Sequence, residues 1–145
     1  MTSFDTGPET FPDTNLGYFN ACAAAEHGAR TAIVDLSRAA PFTLTHADLD
    51  DRMNRVAAAL QARGMAPGDR LLLATGNRFE FIETFFGAMR AGIVPIPLNH
   101  KLGAETIRFV IADADARGAV ISPECHGEIT ALVDAAGLSP KISTS

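Results

Sequence analysis

None of the strand-like segments of this chain is followed by a glycine-rich phosphate loop. Neither G-x-x-x-x-G-K-[ST] nor G-x-G-x-x-G occurs in its 145 residues. A G-x-S-x-G elbow for a nucleophilic serine is also missing. The histidines, His27, His46, His100 and His126, form no H-E-x-x-H or similar ligand pair, and His46 is expected to face solvent at a helix start. The two cysteines, Cys22 and Cys125, stand far apart without metal-like spacing. They are expected to be reduced thiols packed as small hydrophobes. Basic residues are scattered and nearly all arginine, and the formal net charge is −5. That balance argues against a nucleic-acid partner or an anionic-membrane surface. No apolar run approaches the roughly 20 residues of a membrane span, so no integral membrane segment is expected. The opening MTSFDTGPETFPDT lacks the apolar core of a secretory signal, and the expected compartment is the cytoplasm.

What is present is a globular pattern, 47% apolar and 20% charged, long enough for one domain with a real core. Its centre is the stretch Arg70 to Asn99. The unbroken run Leu71-Leu72-Leu73-Ala74 suits a strand covered on both faces of a parallel sheet. Asn77 and Glu80 have the spacing of a capping box. The helix they open carries Phe79, Phe81, Ile82, Phe85, Phe86, Ala88 and Met89. Its polar positions, Glu80, Glu83, Thr84, Gly87 and Arg90, form a single narrow stripe, so other structure must cover the helix. Gly92 supplies the stop, and Ile93 to Pro97 returns as a strand in which two prolines suit an edge.

Upstream, Leu16 to His27 reads as one helix with Leu16, Phe19, Cys22 and Ala23 on its apolar side. Ala32 to Leu36 and Phe42 to Leu44 read as a small hairpin. Thr45 with Asp48 caps a long helix whose apolar stripe is Leu49, Met53, Val56 and Leu60. The acids Asp48, Asp50 and Asp51 read as a solvated helix start rather than a metal site. Gly64 ends the helix, Leu60 and Met65 are spaced for a Schellman contact, and Ala66-Pro67-Gly68-Asp69 suits a type II turn. Downstream, Ile107, Val110 and Ile111 mark another helix, Ala119 to Ile121 a third parallel strand, and Glu128 to Ala136 a last helix. The expected class is α/β, a mainly parallel sheet with helices on both faces, preceded by a helix and a small β-hairpin. Residues 1–14 read as a flexible arm, 15–137 as the α/β segment and 138–145 as a polar tail. Lys101 is the one basic residue kept as a binding candidate, because open α/β sheets bind ligands past the carboxyl ends of their strands.

The run TLTHADLDDRMNRVAAALQARGMAPGDRLLLATGNRFEFIETFFGAMRAGIVPIPLNHKL resembles the start of the AMP-forming adenylating enzymes, which include the acyl-CoA synthetases and other acid–CoA ligases. The likeness is carried by Thr45 to Leu49, by Gly64 with Pro67-Gly68-Asp69 before an apolar strand, and by Gly87-Ala88, Ala91-Gly92 and Pro97-Leu98-Asn99. The resemblance implies that residues 15–137 are the N-terminal segment of an AMP-binding (adenylation) domain. It implies chemistry of the kind used in fatty acid metabolism. ATP and Mg²⁺ make an acyl-adenylate from a carboxylic acid, and CoA then takes the acyl group. The family's Ser/Thr/Gly-rich loop ending in Lys-Gly, its later acidic motifs and its C-terminal lysine have no counterpart in this sequence. Hence no catalytic or metal-binding residue is carried over, and no cofactor is expected for this chain alone. Lys101, where the family often has arginine, matches a position that can lie near the CoA nucleotide, although lysine lacks the bidentate phosphate fork. The implied partner is the remainder of the ligase or a paired ligase subunit. Two other readings stay open: a non-catalytic module docking on a full-length ligase or other protein, and an independent α/β domain binding a small ligand.

Overall fold

The computed structural model describes residues 15–144. The arm expected over residues 1–14 lies outside the described residues. A 3₁₀ turn, Leu16–Tyr18, leads into helix α1 (Ala21–His27). The single helix expected from Leu16 to His27 is therefore divided. Gly17 lies against the helix Phe79–Arg90, where a Cβ would come within 2.6 Å of Arg90 N and 2.8 Å of Phe86 O. Asn15 Oδ1 caps the turn by accepting from Gly17 N–H. Leu16 and Phe19, expected on the buried side, are 63% and 49% exposed.

Strands β1 (Thr31–Asp35) and β2 (Phe42–Thr45) form the expected antiparallel hairpin, with Val34 opposite Thr43. Helix α2 (His46–Ala62) starts with the expected capping box. Asp48 N–H donates to Thr45 Oγ1, and Thr45 N–H to Asp48 Oδ2. It ends in a Schellman motif. Gly64 has φ 84°, Met65 N–H donates to Leu60 O, and Leu60 and Met65 are both buried. Gly68, at φ 87°, then makes the turn whose Asp69 N–H donates to Ala66 O.

Strands β3 (Arg70–Ala74), β4 (Val94–Pro97), β5 (Gly118–Ile121) and β6 (Lys141–Ser143) form a fully parallel sheet in the order β4-β3-β5-β6. Helices α3 (Phe79–Arg90), α4 (Ala104–Asp113) and α5 (Glu128–Ala135) complete the set. Period-two alternation assigns the faces. Leu72 and Ala74 pack with Ile107, Ile111, Ile129 and Val133, the side chains of α4 and α5. Leu71 and Leu73 pack with Leu60, Met65 and Ala88, on the side of α2 and α3. Both faces of β3 are thus covered, which is why its apolar run has no alternation. The segment read as a tail supplies β6, whose Ile142 pairs with Val120. Among the described residues no helix is long and apolar enough to cross a membrane.

Helix α3 packs the opposite way from a simple amphipathic helix. Its polar stripe is the buried side: Glu80, Glu83, Thr84 and Arg90 are each less than 9% exposed, while Phe81, Ile82, Phe85 and Phe86 are half-buried. The cause is α2, which brings Arg52 to Glu83, and Asp50 and Asn54 to Arg90. Gly87 lets the two helices touch, since a Cβ there would lie 2.7 Å from Val56 Cβ.

Candidate functional site

The carboxyl ends of parallel strands are where an α/β sheet offers backbone groups to a ligand. Here they are Thr75 and Gly76 after β3, Leu98 to Lys101 after β4, and Ser122 to Cys125 after β5. The hairpin reaches the same end through Asp35 and Arg38.

The expected cap on α3 is not the one that forms. Arg78, not Asn77, holds the N-cap position, and its side chain makes no cap bond. Instead Phe79 N–H donates to Asp35 Oδ2 at 3.1 Å, from 44 residues away. Glu80, the expected capping-box partner, is taken by two arginines, Arg38 at 2.7 Å and Arg78 at 3.0 Å. Arg78 also reaches Glu124 at 3.2 Å, and Gly76 N–H donates to Glu124 Oε1 at 3.2 Å. Arg38 lies over the rings of Phe42 and Phe79, 5.5 and 5.2 Å from their centroids, and Arg52 lies over the Phe79 ring at 4.7 Å. One network therefore joins the hairpin, the start of α3 and the turn after β5.

The protonation states follow from these contacts. The Ser37 hydroxyl and backbone N–H hold the Asp35 carboxyl below the usual aspartate range, with help from Phe79 N–H and Arg38 against the opposing effect of burial. Burial pushes Glu124 up, but hydrogen bonds from its own backbone, Ser122 and Gly76, together with Arg78, bring it below the usual glutamate value. Glu80 pushes the Arg78 guanidinium up. Burial raises the Cys125 thiol, so it remains protonated and a poor nucleophile. A lowered carboxyl stabilises the fold at pH values above its unfolded-state pKa and loses that effect as the pH falls. Asp35→Asn is expected to cost about 1 kcal/mol at pH 7. The gap from the unsubstituted chain should close below about pH 4 in urea melts measured across pH.

The glycine N–H nearest to a strand exit already donates to a carboxylate, and Arg78 is held between two carboxylates that would repel phosphate. Among the described residues no group of three or more His, Cys, Asp or Glu side chains is placed to hold a metal ion. The acidic run at the start of α2 is dispersed: Asp48 caps Thr45, Asp50 binds Arg90, and Asp51 pairs with Arg55 at 2.9 Å. His46, expected to face solvent, is half-buried with Nδ1 2.6 Å from Asn20 Oδ1. Cys125 is buried and Cys22 is exposed on α1, so only one thiol is packed as expected; both are free. Lys101 sits exposed in the turn after β4, its N–H donating to Asn99 Oδ1 at 3.0 Å. The Asp35–Phe79 and Arg78–Glu124 pairs were missed in the sequence because their partners lie more than 40 residues apart. The sequence signal for them is weak: an acid closing a strand and an arginine next to a helix start.

Known proteins share the sequence pattern and the fold of this chain. The AMP-binding enzyme family matches residues 21–144. The feruloyl-CoA synthase of Amycolatopsis sp is 38% identical over 95 residues, 66% of this chain and 19% of that protein. The benzoate–CoA ligase of Thauera aromatica is 34% identical over 101 residues, 69% of this chain and 18% of that protein. The N-terminal domain of FACL13 from Mycobacterium tuberculosis superposes with a TM-score of 0.77 at 26% identity, covering 90% of this chain and 33% of that one. The chain thus spans less than a fifth of the length of these two curated relatives.

Proposed function

Because this chain belongs to the AMP-binding enzyme family, we propose that it is the first framework layer of an acyl-CoA synthetase-like ligase and is inactive alone. The family's reaction transfers AMP from ATP to a carboxylate oxygen with release of pyrophosphate, and the CoA thiol then takes the acyl group with release of AMP. The observation that supports a framework role is how the strand-exit groups are used. Arg78, Glu80, Glu124 and the Gly76 N–H bind one another, which fixes α3 and the hairpin to the sheet. Such a network rigidifies; it does not present a nucleophile or a phosphate cradle. Lys101 is retained as a contact for the CoA nucleotide. ATP, Mg²⁺ and CoA then belong to the assembled ligase.

The partner in this reading is the remainder of a ligase or a paired ligase subunit. ATP–pyrophosphate exchange tests the reading: the isolated chain is expected to give no carboxylate-dependent exchange.

A second reading, a non-catalytic docking module, is favoured by the half-exposed Phe19, whose ring lies tilted against Phe86 at 4.2 Å between centroids. A monodisperse folded monomer in solution supports the module. Aggregation or proteolytic lability supports the framework piece.

A further inference from the structure

Helices α4 and α5 cover one face of the sheet, and the side they turn to solvent is not uniformly polar. Phe109 of α4 is 65% exposed. An apolar groove of about 400 Å³ runs between the two helices. Buried Ile111 and Leu132 line it, together with the small side chains of Ala112, Ala116 and Ala135. Phe109 stands next to this groove, one turn before Ala112 on the same helix. An exposed ring beside an apolar groove marks a surface that associates.

Two charges of opposite sign also line the groove. Arg108 is exposed and has no ion-pair or hydrogen-bond partner among the described residues. Asp115 lies about two turns, roughly 10 Å, further along. Its carboxylate is exposed, with Oδ2 held by Arg70 and Oδ1 open to a second donor. Ala112 falls midway between the two charges in the chain. A surface with a cation at one end, an anion at the other and a small residue between them is complementary to itself under a two-fold rotation.

We propose that this face is an isologous interface between two copies of this chain. A two-fold axis near Ala112 lays the two α4 helices antiparallel. The Arg108 guanidinium of each copy then meets the partner's Asp115 carboxylate, and Phe109 of each copy enters the partner's groove. Ala112 at the crossing lets the helix backbones approach closely. The face lies across the sheet from α2 and α3, so the interface stands apart from the framework role proposed above.

A contact of one groove and two ion pairs sits at the weak end of specific interfaces, with a dissociation constant on the order of 10 μM. Sedimentation equilibrium of the purified full chain reads it, at concentrations from about tenfold below to about tenfold above that constant. The expected result is a reversible monomer–dimer equilibrium with no larger species. Phe109→Ser, at an exposed position, should weaken the dimer at least about tenfold. Arg108→Asp alone and Asp115→Arg alone each set like charges against one another across the two-fold axis, and each should stay monomeric in this range. An equimolar mixture of the two variants restores both ion pairs and should dimerise again. Nonspecific association through an apolar patch would not depend on the mixing. A monomer at every concentration of the unsubstituted chain overturns the proposal. So does a dimer that Phe109→Ser and Arg108→Asp leave unchanged. Asp115 has a φ of 48° and pairs with Arg70, so circular dichroism first checks that its variant folds. If it does not, the Phe109→Ser and Arg108→Asp measurements decide.

Discussion

Replacing Gly87 with valine is expected to cost on the order of 3 kcal/mol and to lower the melting midpoint by roughly 10 °C. The position is the closest approach between α2 and α3. An added Cβ would stand 2.7 Å from both Val56 Cβ and Val56 Cγ1 and 2.9 Å from Met53 O. Val56 is β-branched and stiff at χ1, and the third contact is backbone, so neither neighbour can swing aside. The helices cannot separate freely either. Arg52 grips Glu83 one turn before the contact, and Arg90 grips Asp50 and Asn54 one turn after it. Alanine at the same position gains about 1 kcal/mol of helix propensity but makes the same Cβ contacts, so a smaller net loss is expected. Gly103→Ala is the control. A Cβ there meets nothing within 4 Å, and thermal or urea melts should show only the loss of about 0.5–1 kcal/mol of a poorer N-cap on α4.

Arg90→Leu is expected to be at least as damaging, about 3–5 kcal/mol. The Arg90 side chain is 1% exposed. Its guanidinium donates to Gly17 O at 2.7 Å, Asp50 O at 3.0 Å, Asn54 Oδ1 at 2.7 Å and Asp50 Oδ1 at 2.6 Å, and it lies 4.8 Å from the Tyr18 ring centroid. Leucine fills part of the volume but removes the donors to a partly buried carboxylate, to the Gly17 carbonyl and to the Asn54 side-chain oxygen. Lysine keeps the charge and loses the fork that serves several acceptors at once, so Arg90→Lys should fall between the two. Because Arg90 also fastens Gly17, both substitutions should increase hydrogen exchange through the Leu16–Tyr18 turn, which an effect confined to α2 and α3 would not do.

These two sites mark where sequence reading stops. Features made by neighbours in the chain could be read directly. The Thr45–Asp48 box, the Leu60–Met65 contact around Gly64, and the continuous run Leu71 to Ala74 all formed as their spacing implied. Period-3.6 patterning also found the stripe Glu80, Glu83, Gly87 and Arg90, but it cannot say which stripe of a helix lies inside. That depends on α2 presenting Asp50, Arg52 and Asn54 at matching heights, and those residues lie 31 to 40 positions away. The cap on α3 has the same character. A good local candidate, Asn77, yields to Asp35, which only the folded hairpin brings within reach. Strand β6 was hidden by its brevity and polarity, since Lys141, Ile142 and Ser143 have no apolar run to announce a strand. The candidate site was legible mainly through what it lacks: the missing glycine-rich loop was plain in the sequence, whereas the commitment of Arg78 to Glu80 and Glu124 was not.

In the proposed framework role these residues hold a sheet together and leave adenylation to other parts of a ligase. The decisive measurement is ATP–pyrophosphate exchange by the purified chain with Mg²⁺ and a panel of aromatic, short-chain and long-chain carboxylic acids, alongside a full-length relative. Under the proposed framework role, exchange stays at the no-acid background for every acid. Exchange that rises with one acid and tracks the folded chain through its melting transition would contradict it.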